Sequence, residues 1–407
     1  MIERPRGTRD FEPDEMESRK RLEDLLRKKA EHFGYREILT PTFEHTELFL
    51  EKSGPSIVEE IYSFEDKGGR ELALRPEFTA SVMRMYSENL RGEPKPMKLF
   101  YFGPAFRYER PQSGRYREFW HFGTELIGAD TARADAENIA LAYRCIEDAG
   151  LEDFTMRISN LQILEDYLKE FELSHEDREE IYHMLDKEET DDILEKYNID
   201  EEFFKLLDQP FEEVSSFVRE SSSYQYLKDV LNHLSYYGIE KDDYVIDLRT
   251  VRGLDYYSGV VFEIDAEKLG AQKQICGGGD YNLGDIFGIE VSSKGFAIGF
   301  DRLHLALEKE NKLSEKERKG FYVIPLGNES IPYSYEVLSQ LRENHFKADI
   351  DLKDRNIGKA LGFADKAGFK YSIIIGEEEV ENEEVALKDM KSGDQMSVKK
   401  DEIIEAM

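Results

Sequence analysis

Four arginines lie in segments with strand or turn character instead of on solvated helix faces: Arg107, Arg115, Arg252 and Arg302. The guanidinium group is a planar fork that binds phosphate through two hydrogen bonds and keeps its charge. Several arginines that converge on one sheet would therefore suit a triphosphate. Taken singly, most arginines form surface salt bridges. This alternative is weaker for arginines embedded in aromatic, apolar strands.

Two carboxylates stand in similar surroundings, Glu77 in LRPEFTA and Glu125 in HFGTELIG. A buried carboxylate needs a cation or a hydrogen-bond donor beside it. A small substrate that carries amino and imidazole groups would supply such partners. Structural pairing with a neighbouring arginine explains either residue alone equally well, and the sequence does not separate the two explanations.

Several common catalytic patterns are absent from the sequence. It contains no GxxxxGK[ST], GxSxG or HExxH pattern, so a P-loop, a hydrolase nucleophile elbow and a zincin site have no support. The GGGDY segment lacks the GxGxxG spacing and the βαβ context of a dinucleotide-binding loop. Cys145 and Cys276 are far apart and form no CxxC pattern, which argues against a disulfide framework and a structural zinc site.

Nothing in the sequence indicates secretion or a membrane. The N-terminus MIERPRGTRDFEPDE has no apolar signal core. No uninterrupted run of about 18 apolar residues occurs, which is the length that spans a bilayer as a helix. We therefore expect a soluble, cytoplasmic protein without a membrane partner.

The chain of 407 residues carries a formal net charge of −32 and is 40% apolar. This length favours two or three domains with sizeable cores. Taken alone, the charge argues against nucleic acid or an anionic membrane as a partner, so such a contact must use a local basic patch. Residues 91–117 form one, with seven lysines and arginines against two glutamates.

The distribution of charge and pattern indicates the domain organisation. Residues 163–220 hold 21 acidic residues against six basic ones, in helix-like segments. We expect an acidic helical insertion over 163–235 within a catalytic domain that spans 1–317. The insertion is either a solvated helical module or a docking surface for a basic partner. After a polar linker at 308–320, short β-rich runs alternate with helical patterns, which indicates a small α/β domain over 318–407.

Local periodicity predicts the elements around the candidate residues. Apolar and charged residues recur at helical spacing over 14–33 and predict an amphipathic helix that ends before Gly34. In IYSFEDKGGRELALRPE, the Gly-Gly pair predicts the turn of a hairpin. Strands are predicted over 100–108 and 117–127, on either side of the loop ERPQSGRY.

Three segments occur in the order of motifs 1, 2 and 3 of class II aminoacyl-tRNA synthetases: TPTFEHTELF, FRYERPQSGRYREFWHFGTELIG and GFAIGFDRL. Together with PRGTRDF, LRPEFTA, VRGLDYYSG and CGGGDYNLG, they resemble the histidyl-tRNA synthetase family over nearly the whole chain. The resemblance implies an α+β multidomain fold with an antiparallel β-sheet core flanked by helices. It also implies a helical insertion and a C-terminal α/β anticodon-binding domain.

The resemblance further implies a two-step reaction. Histidine and ATP give histidyl-adenylate and pyrophosphate, and the histidyl group then moves to the 3′-end of tRNA(His). L-Histidine, ATP with Mg²⁺, and tRNA(His) would be the ligands, and no protein ligands of the metal are assigned. A homodimer is expected, because motif 1 forms the subunit interface in this class. The alternative is a monomer in which the segment around Pro41 is an ordinary edge strand.

Matching motif positions imply roles for individual residues, with Arg107 and Arg252 as the catalytic pair. Histidine would be bound by Glu77, Thr79, His121, Glu125, Arg252, Tyr257 and Tyr281. ATP would be bound by Arg107, Arg115, Phe119 and Arg302. The acceptor end of tRNA would meet Arg110, Gln112 and Arg117.

The sequence departs from the family pattern at three of these or neighbouring positions. His121 stands where glutamine is common, Phe78 where a glycine is usual, and Asp280 where arginine is frequent. These departures bear on substrate geometry and leave the reaction class unchanged.

The alternative function is a catalytically inactive, synthetase-like regulatory subunit that binds histidine and controls a transferase of histidine biosynthesis. Such a chain would be expected to lose the arginines and the anticodon domain. This chain keeps Arg107, Arg115, Arg252 and Arg302 and continues well beyond the linker, which favours the ligase.

Overall fold

The computed structural model describes residues 2–53, 60–110, 114–186, 193–218, 221–251, 257–313 and 318–405. The chain divides into two compact units, Met1–Leu313 and Ser314–Met407. None of the described helices is long and apolar enough to cross a membrane. Of the residues predicted to act, Arg252 and Gln112 lie outside the described ranges.

The first unit contains a large sheet that confirms the predicted antiparallel core. Its described strands are, in chain order, β1 (Arg36–Glu37), β2 (Phe43–His45), β3 (Tyr62–Glu65), β4 (Glu71–Leu74), β5 (Met97–Phe106), β6 (Glu118–Ile127), β7 (Phe154–Asn160), β8 (Val245–Ile246), β9 (Tyr257–Ala266), β10 (Gln274–Tyr281) and β11 (Ser293–Gly299). Eight of them form one sheet in the order β1-β5-β6-β11-β10-β9-β7-β8, and β2, β4 and β3 form a smaller one. The neighbours from β5 to β7 are antiparallel, and the outermost pairs are parallel.

Helices flank this sheet. In the described part of the first unit they are α1 (Pro13–His32), α2 (Thr46–Ser53), α3 (Thr79–Met85), α4 (Ala132–Asp148), α5 (Leu161–Leu168), α6 (His175–Asp186), α7 (Ile193–Tyr197), α8 (Glu202–Asp208), α9 (Ser222–Tyr236) and α10 (Phe300–Lys309). Pro13 fits the first turn of α1, where its missing N–H would have no helical partner. Gly34 follows with φ of +81°, a conformation that glycine adopts readily. The helix predicted over 14–33 is thus confirmed, whereas the predicted linker at 308–320 begins too early, inside α10.

The hairpins predicted near the candidate residues are also present. β5 and β6 pair over ten residues each, from Met97 opposite Ile127 to Phe106 opposite Glu118. β3 and β4 pair antiparallel, and Gly69 in their turn has φ of +76°. The loop between β5 and β6 therefore leaves the sheet from the ends of two long paired strands, which fixes the residues at its base.

The helices α5–α9 lie between β7 and β8 in the chain. These two strands are parallel neighbours, with Arg157 opposite Val245, and parallel neighbours need a long crossover connection. The helical segment supplies this crossover. Buried residues such as Phe203, Leu227 and Val230 belong to the same hydrophobic cluster as the sheet, so the acidic segment packs onto the core.

The second unit is an α/β domain, as the alternating pattern predicts. Its described elements are β12 (Phe321–Pro325), β13 (Ala348–Ile350), β14 (Tyr371–Ile375), β15 (Glu384–Asp389) and β16 (Gln395–Lys399), with α11 (Ile331–Glu343), α12 (Ile357–Lys366) and α13 (Glu377–Asn382). The sheet order is β13-β12-β14-β15-β16. Alternate residues of β12 face opposite ways: Val323 clusters with Val337 of α11, and Tyr322 clusters with Ala360 of α12.

Candidate active site

A cleft of about 260 Å³ on the large sheet collects residues from distant parts of the first unit. Its lining includes ten of the residues predicted from the sequence: Glu77, Thr79, Arg107, Arg115, Phe119, His121, Glu125, Tyr257, Tyr281 and Arg302. They come from β6, β9, β10, α3 and α10, from the segment that precedes α3, and from the segments beside the β5–β6 loop. The fold therefore brings predicted amino-acid contacts and predicted phosphate contacts into one cavity.

A carboxylate and a phenol pair inside this cleft. Glu125 is 1% exposed and Tyr281 is 4% exposed, and Oη of Tyr281 donates a hydrogen bond to Oε2 of Glu125. Burial raises the pKa of Tyr281 well above its usual range, and the negative charge of Glu125 raises it further. The phenol therefore keeps its proton and orients the carboxylate as a donor.

A glycine on the neighbouring strand makes room for this carboxylate. Glu125 of β6 pairs with Gly295 of β11. A Cβ atom at position 295 would lie 2.4 Å from Oε2 of Glu125 and 2.2 Å from the carbonyl oxygen of Thr124. Any side chain there would displace either the carboxylate or the strand. The close approach of the two strands therefore requires glycine at this position.

Tyr101 is a further phenol in the cleft that is not among the residues predicted from the sequence. It is 2% exposed. Burial raises its pKa well above the usual range, and the charges of Glu125 and Glu77 add to this effect. Phe78 is fully buried and stacks on Tyr101, with ring centroids 4.3 Å apart. The aromatic residue that departs from the family pattern thus supports a cleft residue from behind. Side chains along β5 alternate between the two faces of the sheet, and this alternation is a signal that could have indicated Tyr101.

Glu77 is held at the start of α3. Its Oε2 accepts a hydrogen bond from the backbone N–H of Thr79 at 2.5 Å, and its Oε1 accepts one from Ala80 at 3.1 Å. A carboxylate at a helix N-terminus is stabilised by the N–H groups and by the helix dipole. Each carboxylate oxygen can accept more than one hydrogen bond. Glu77 is therefore oriented by the backbone, and its carboxylate is the type of group that binds a cationic substrate group.

Arg302 is fixed by neutral oxygen atoms. Its Nε donates to the carbonyl oxygen of Gly114 at 3.1 Å, its Nη1 to that of Gln274 at 2.8 Å, and its Nη2 to Oε1 of Gln272 at 3.0 Å. These partners orient the guanidinium group without neutralising it. Its charge is therefore available to an anion.

The other cleft arginines lie near enough to lower the pKa of Arg302. Burial lowers the pKa of Arg302, and the like charges of Arg115 and Arg107 lower it further. Arg115 forms an ion pair with Glu109, and the guanidinium carbon of Arg107 lies 5.6 Å from the centre of the Phe119 ring. Like charges gathered in one place favour the binding of an anion that balances them. A polyphosphate meets this requirement.

Comparison with known proteins identifies the family. A sequence model described as "Histidyl-tRNA synthetase" matches residues 7–303, and one described as "Anticodon binding domain" matches residues 321–407. A protein from Archaeoglobus fulgidus named histidine–tRNA ligase is 45% identical, covering 99% of this chain and 98% of its own length.

The chain belongs to the histidyl-tRNA synthetase family. Solved structures of the family agree with this membership in fold. The apo histidyl-tRNA synthetase from S. aureus aligns with a TM-score of 0.78 at 32% identity, covering 100% of this chain and 99% of that one. The histidyl-tRNA synthetase from Nostoc sp. aligns with a TM-score of 0.85 at 25% identity, covering 100% of both chains.

Within this synthetase fold, the predicted tRNA-loop residues stand apart from the cleft. Neither Arg110 nor Arg117 is among the cleft residues, and Arg110 is exposed. The guanidinium carbon of Arg117 lies 3.9 Å from the centre of the Tyr108 ring, and its Nε donates to the carbonyl oxygen of Glu109 at 3.1 Å. Gln112 belongs to the same loop and lies outside the described residues.

The N-terminal PRGTRDF segment of the synthetase is hydrogen-bonded to its third motif, GFAIGFDRL. Oδ1 of Asp301 accepts hydrogen bonds from Arg9 at 2.9 Å and Arg19 at 2.8 Å, and Oδ2 accepts one from the backbone N–H of Trp120 at 2.7 Å. The guanidinium carbon of Arg9 also lies 4.2 Å from the centre of the Tyr116 ring. Asp301 and Tyr116 line the cleft. Both segments are recognisable as motifs, but their pairing is not visible in the sequence.

Proposed function

We propose that this chain is a histidine–tRNA ligase, which activates histidine with ATP and transfers the histidyl group to tRNA(His). The observation that carries the proposal is one cleft that contains both the Glu125–Tyr281 pair and the cluster of Arg107, Arg115 and Arg302. The pair suits an imidazole ring, and the cluster suits a triphosphate. The family membership and the full-length histidine–tRNA ligase relative support the same function.

Histidine selection rests on the buried polar groups of the cleft. Glu125 would accept a hydrogen bond from one imidazole nitrogen, while Tyr257 and Tyr281 would contribute phenol groups to the same ring. A site that hydrogen-bonds a substrate group can reject an analogue without it by about 10⁴–10⁵-fold, because buried polar groups are then left unpaired. Such discrimination makes a separate proofreading site unnecessary, and we assign the acidic segment 163–235 a structural or tRNA-facing role instead.

The α-amino group of histidine would be bound by Glu77 and Thr79. The capping contacts that orient Glu77 support this assignment. His121 would lie beside the amino-group contacts, where its imidazole can donate or accept one hydrogen bond. The ring of His121 packs edge-on against Phe119, with centroids 4.9 Å apart, which supports a fixed orientation for this side chain.

Adenylate formation needs alignment and positive charge more than acid–base chemistry. The nucleophile is the carboxylate of histidine, which is already ionised, so no protein base has to remove a proton. The carboxylate oxygen attacks the α-phosphorus, and the bond to the departing pyrophosphate breaks. Arg107 and Arg252 would neutralise the charge that develops at the α-phosphate. Arg252 is assigned from its motif.

ATP would be held by four residues of the arginine-rich part of the cleft. Phe119 would stack on adenine, Arg107 would contact the α-phosphate, and Arg115 and Arg302 would bind the γ-phosphate side. Mg²⁺ is usually bound through one or two carboxylates together with substrate phosphates. The described residues contain no group of three or more His, Cys, Asp and Glu side chains that could hold a metal ion. Glu109 beside Arg115 would be its carboxylate contact, and the ion would offset charge on the pyrophosphate.

Transfer to tRNA involves both proposed domains. Residues 1–317 would form the catalytic domain, and Arg110, Gln112 and Arg117 would meet the acceptor end of tRNA(His). The basic patch at 91–117 supplies the phosphate attraction that such a contact needs. Residues 318–407 would bind the anticodon, an assignment supported by the matching anticodon-binding family model.

We also propose a homodimer in the cytoplasm. The segment TPTFEHTELF resembles the motif that forms the dimer interface in this class. Within it, β2 contains Phe43, whose side chain is 52% exposed, and this exposure would be explained by a partner subunit. Sedimentation of the purified protein would test the assembly state.

Histidine-dependent ATP–pyrophosphate exchange by the purified protein tests the proposed function. With Mg²⁺ present, we expect exchange with histidine and none with other amino acids. A folded sample that binds histidine but catalyses no exchange would overturn the ligase and favour the regulatory-subunit alternative. Aminoacylation of tRNA(His) then tests the second step.

A further inference from the structure

A buried ionic cluster lies beside the cleft. Lys294 of β11 is fully buried, and its Nζ lies 2.6 Å from Oδ1 of Asp135 and 2.9 Å from Oδ1 of Asp280. Asp135 belongs to α4, and its Oδ2 accepts a hydrogen bond from Oη of Tyr226 at 2.6 Å. Tyr226 belongs to α9. These four side chains, here called the Lys294 cluster, connect a helix of the acidic segment to the centre of the sheet.

The cluster ends at an irregularity between β9 and β10. Gly279 pairs with Val261 and Tyr281 pairs with Tyr257, so the three residues 258–260 of β9 lie opposite the single residue Asp280. Extra residues of this kind interrupt the ladder and leave backbone groups to be bound in other ways. Oδ2 of Asp280 accepts a hydrogen bond from the backbone N–H of Val260 at 3.2 Å.

The bulged strand is shaped around this carboxylate. A Cβ atom at Gly259 would lie 2.5 Å from Oδ2 of Asp280, so the strand passes close to Asp280 because residue 259 has no side chain. Successive residues of a strand point to opposite faces. While Asp280 joins the cluster, the next residue, Tyr281, donates to Glu125 in the cleft.

The cluster holds two carboxylates for one ammonium group. Burial raises the pKa of Asp280 well above its usual range, the charge of Asp135 raises it further, and Lys294 acts in the opposite direction. Removing one member of such a buried group leaves its partners without compensation. A change at one member therefore alters the charge balance of the others.

We propose that Asp280, Lys294 and Tyr226 are positioning residues for histidine selection. In this proposal, the packing of α9 against α4 acts through the Lys294 cluster and fixes the conformation of the bulge at 258–260. The bulge in turn fixes the positions of Tyr257 and Tyr281. This inference deepens the proposed function and rests on the assignment of those two tyrosines to histidine. It also gives the acidic segment a definite role in the first unit, which is to support the amino-acid pocket.

Calorimetric titration of the intact protein with histidine and, separately, with ATP tests the proposal. Tyr226→Phe removes only the hydroxyl that binds Asp135, and we expect histidine affinity to fall by about 2- to 30-fold with ATP affinity unchanged, the range found for residues that act through others. Asp280→Ala should give the same pattern. Asp280→Asn should recover much of the loss, because its amide oxygen can still accept the Val260 N–H.

Tyr182→Phe is the matched control. Tyr182 of α6 donates to Glu165 at 3.0 Å in the same helical segment, outside the Lys294 cluster, so this variant should bind histidine like the unaltered protein. If Tyr226→Phe behaves like this control, or if histidine and ATP affinities fall together, the proposal is wrong. Histidine binding is measured without catalysis, so this result is independent of the exchange assay that decides the proposed function.

Discussion

Replacing Tyr281 with phenylalanine removes one hydroxyl group from the cleft and leaves the ring in place. That hydroxyl donates to Glu125, and both side chains are almost completely buried. A hydrogen bond to a charged group contributes about 1.5–3 kcal/mol. Since each 1.36 kcal/mol changes a rate tenfold, kcat/KM for histidine in ATP–pyrophosphate exchange should fall by about 10- to 150-fold.

The loss should be confined to histidine. The KM for ATP should stay within about twofold, because energetic effects of sites without shared contacts are close to additive. Tyr322→Phe is the matched control: Tyr322 is 1% exposed and donates to Asp351 at 2.8 Å in the second unit. This control should lower thermal stability and leave exchange unchanged.

Two results would refute the reasoning about Tyr281. The first is exchange by Tyr281→Phe at the rate of the unaltered protein, which would mean that the hydroxyl does not orient Glu125 for histidine. The second is an equal loss of exchange in Tyr322→Phe, which would mean that exchange reports general stability. Thermal unfolding of both variants separates these cases.

Three further changes have definite expected outcomes. Arg252→Ala should lower exchange by roughly 10²–10³-fold, as when one donor to transition-state charge is lost; undiminished exchange would contradict its catalytic role. Arg117→Ala should slow aminoacylation of tRNA(His) and spare exchange, whereas an equal loss in both assays would remove Arg117 from the acceptor loop. Burial, helped by the charge of Arg19, lowers the pKa of His304 from 6.5 to about 4. The folded state then binds fewer protons than the unfolded state, so this contribution to stability is present above pH 6.5 and is lost as the pH falls towards 4. His304→Gln should flatten this part of the Tm profile, and an unchanged profile would contradict the shift.

The elements that position the cleft were predictable where burial imposes an apolar pattern. The helix at Pro13–His32 has one buried stripe at helical spacing. The strands Met97–Phe106 and Glu118–Ile127 are aromatic-rich segments that are buried on both faces of the sheet. By contrast, Glu377–Asn382 forms a helix that the sequence does not predict, because the run EEEVEN has almost no apolar face. Burial of apolar residues therefore makes an element predictable, whereas a short, charged element gives no such signal.

The contacts between cleft residues depend on strand order, which local pattern does not encode. Motif resemblance predicts that Glu125 and Tyr281 share a site, but their hydrogen bond arises because β11 lies between β6 and β10 in the sheet. The pairing of Asp301 with Arg9 likewise joins the two ends of the first unit. Asp280 reads as an unexplained departure until Lys294 is found opposite it on β11.

Salt screens the exposed charges that make up most of the net charge of −32 more strongly than it screens the partly buried arginines of the cleft. At about 0.1 M salt, exposed charges are screened beyond roughly 10 Å, so the surplus of acidic residues governs the behaviour of the protein toward polyanions in bulk. Partly buried charges are screened much less. Burial lowers the pKa of Arg302, and the like charges of Arg115 and Arg107 lower it further, so these cations repel one another inside the cleft. Binding of a triphosphate would relieve that repulsion, and this is how a strongly acidic chain would bind ATP in the cleft.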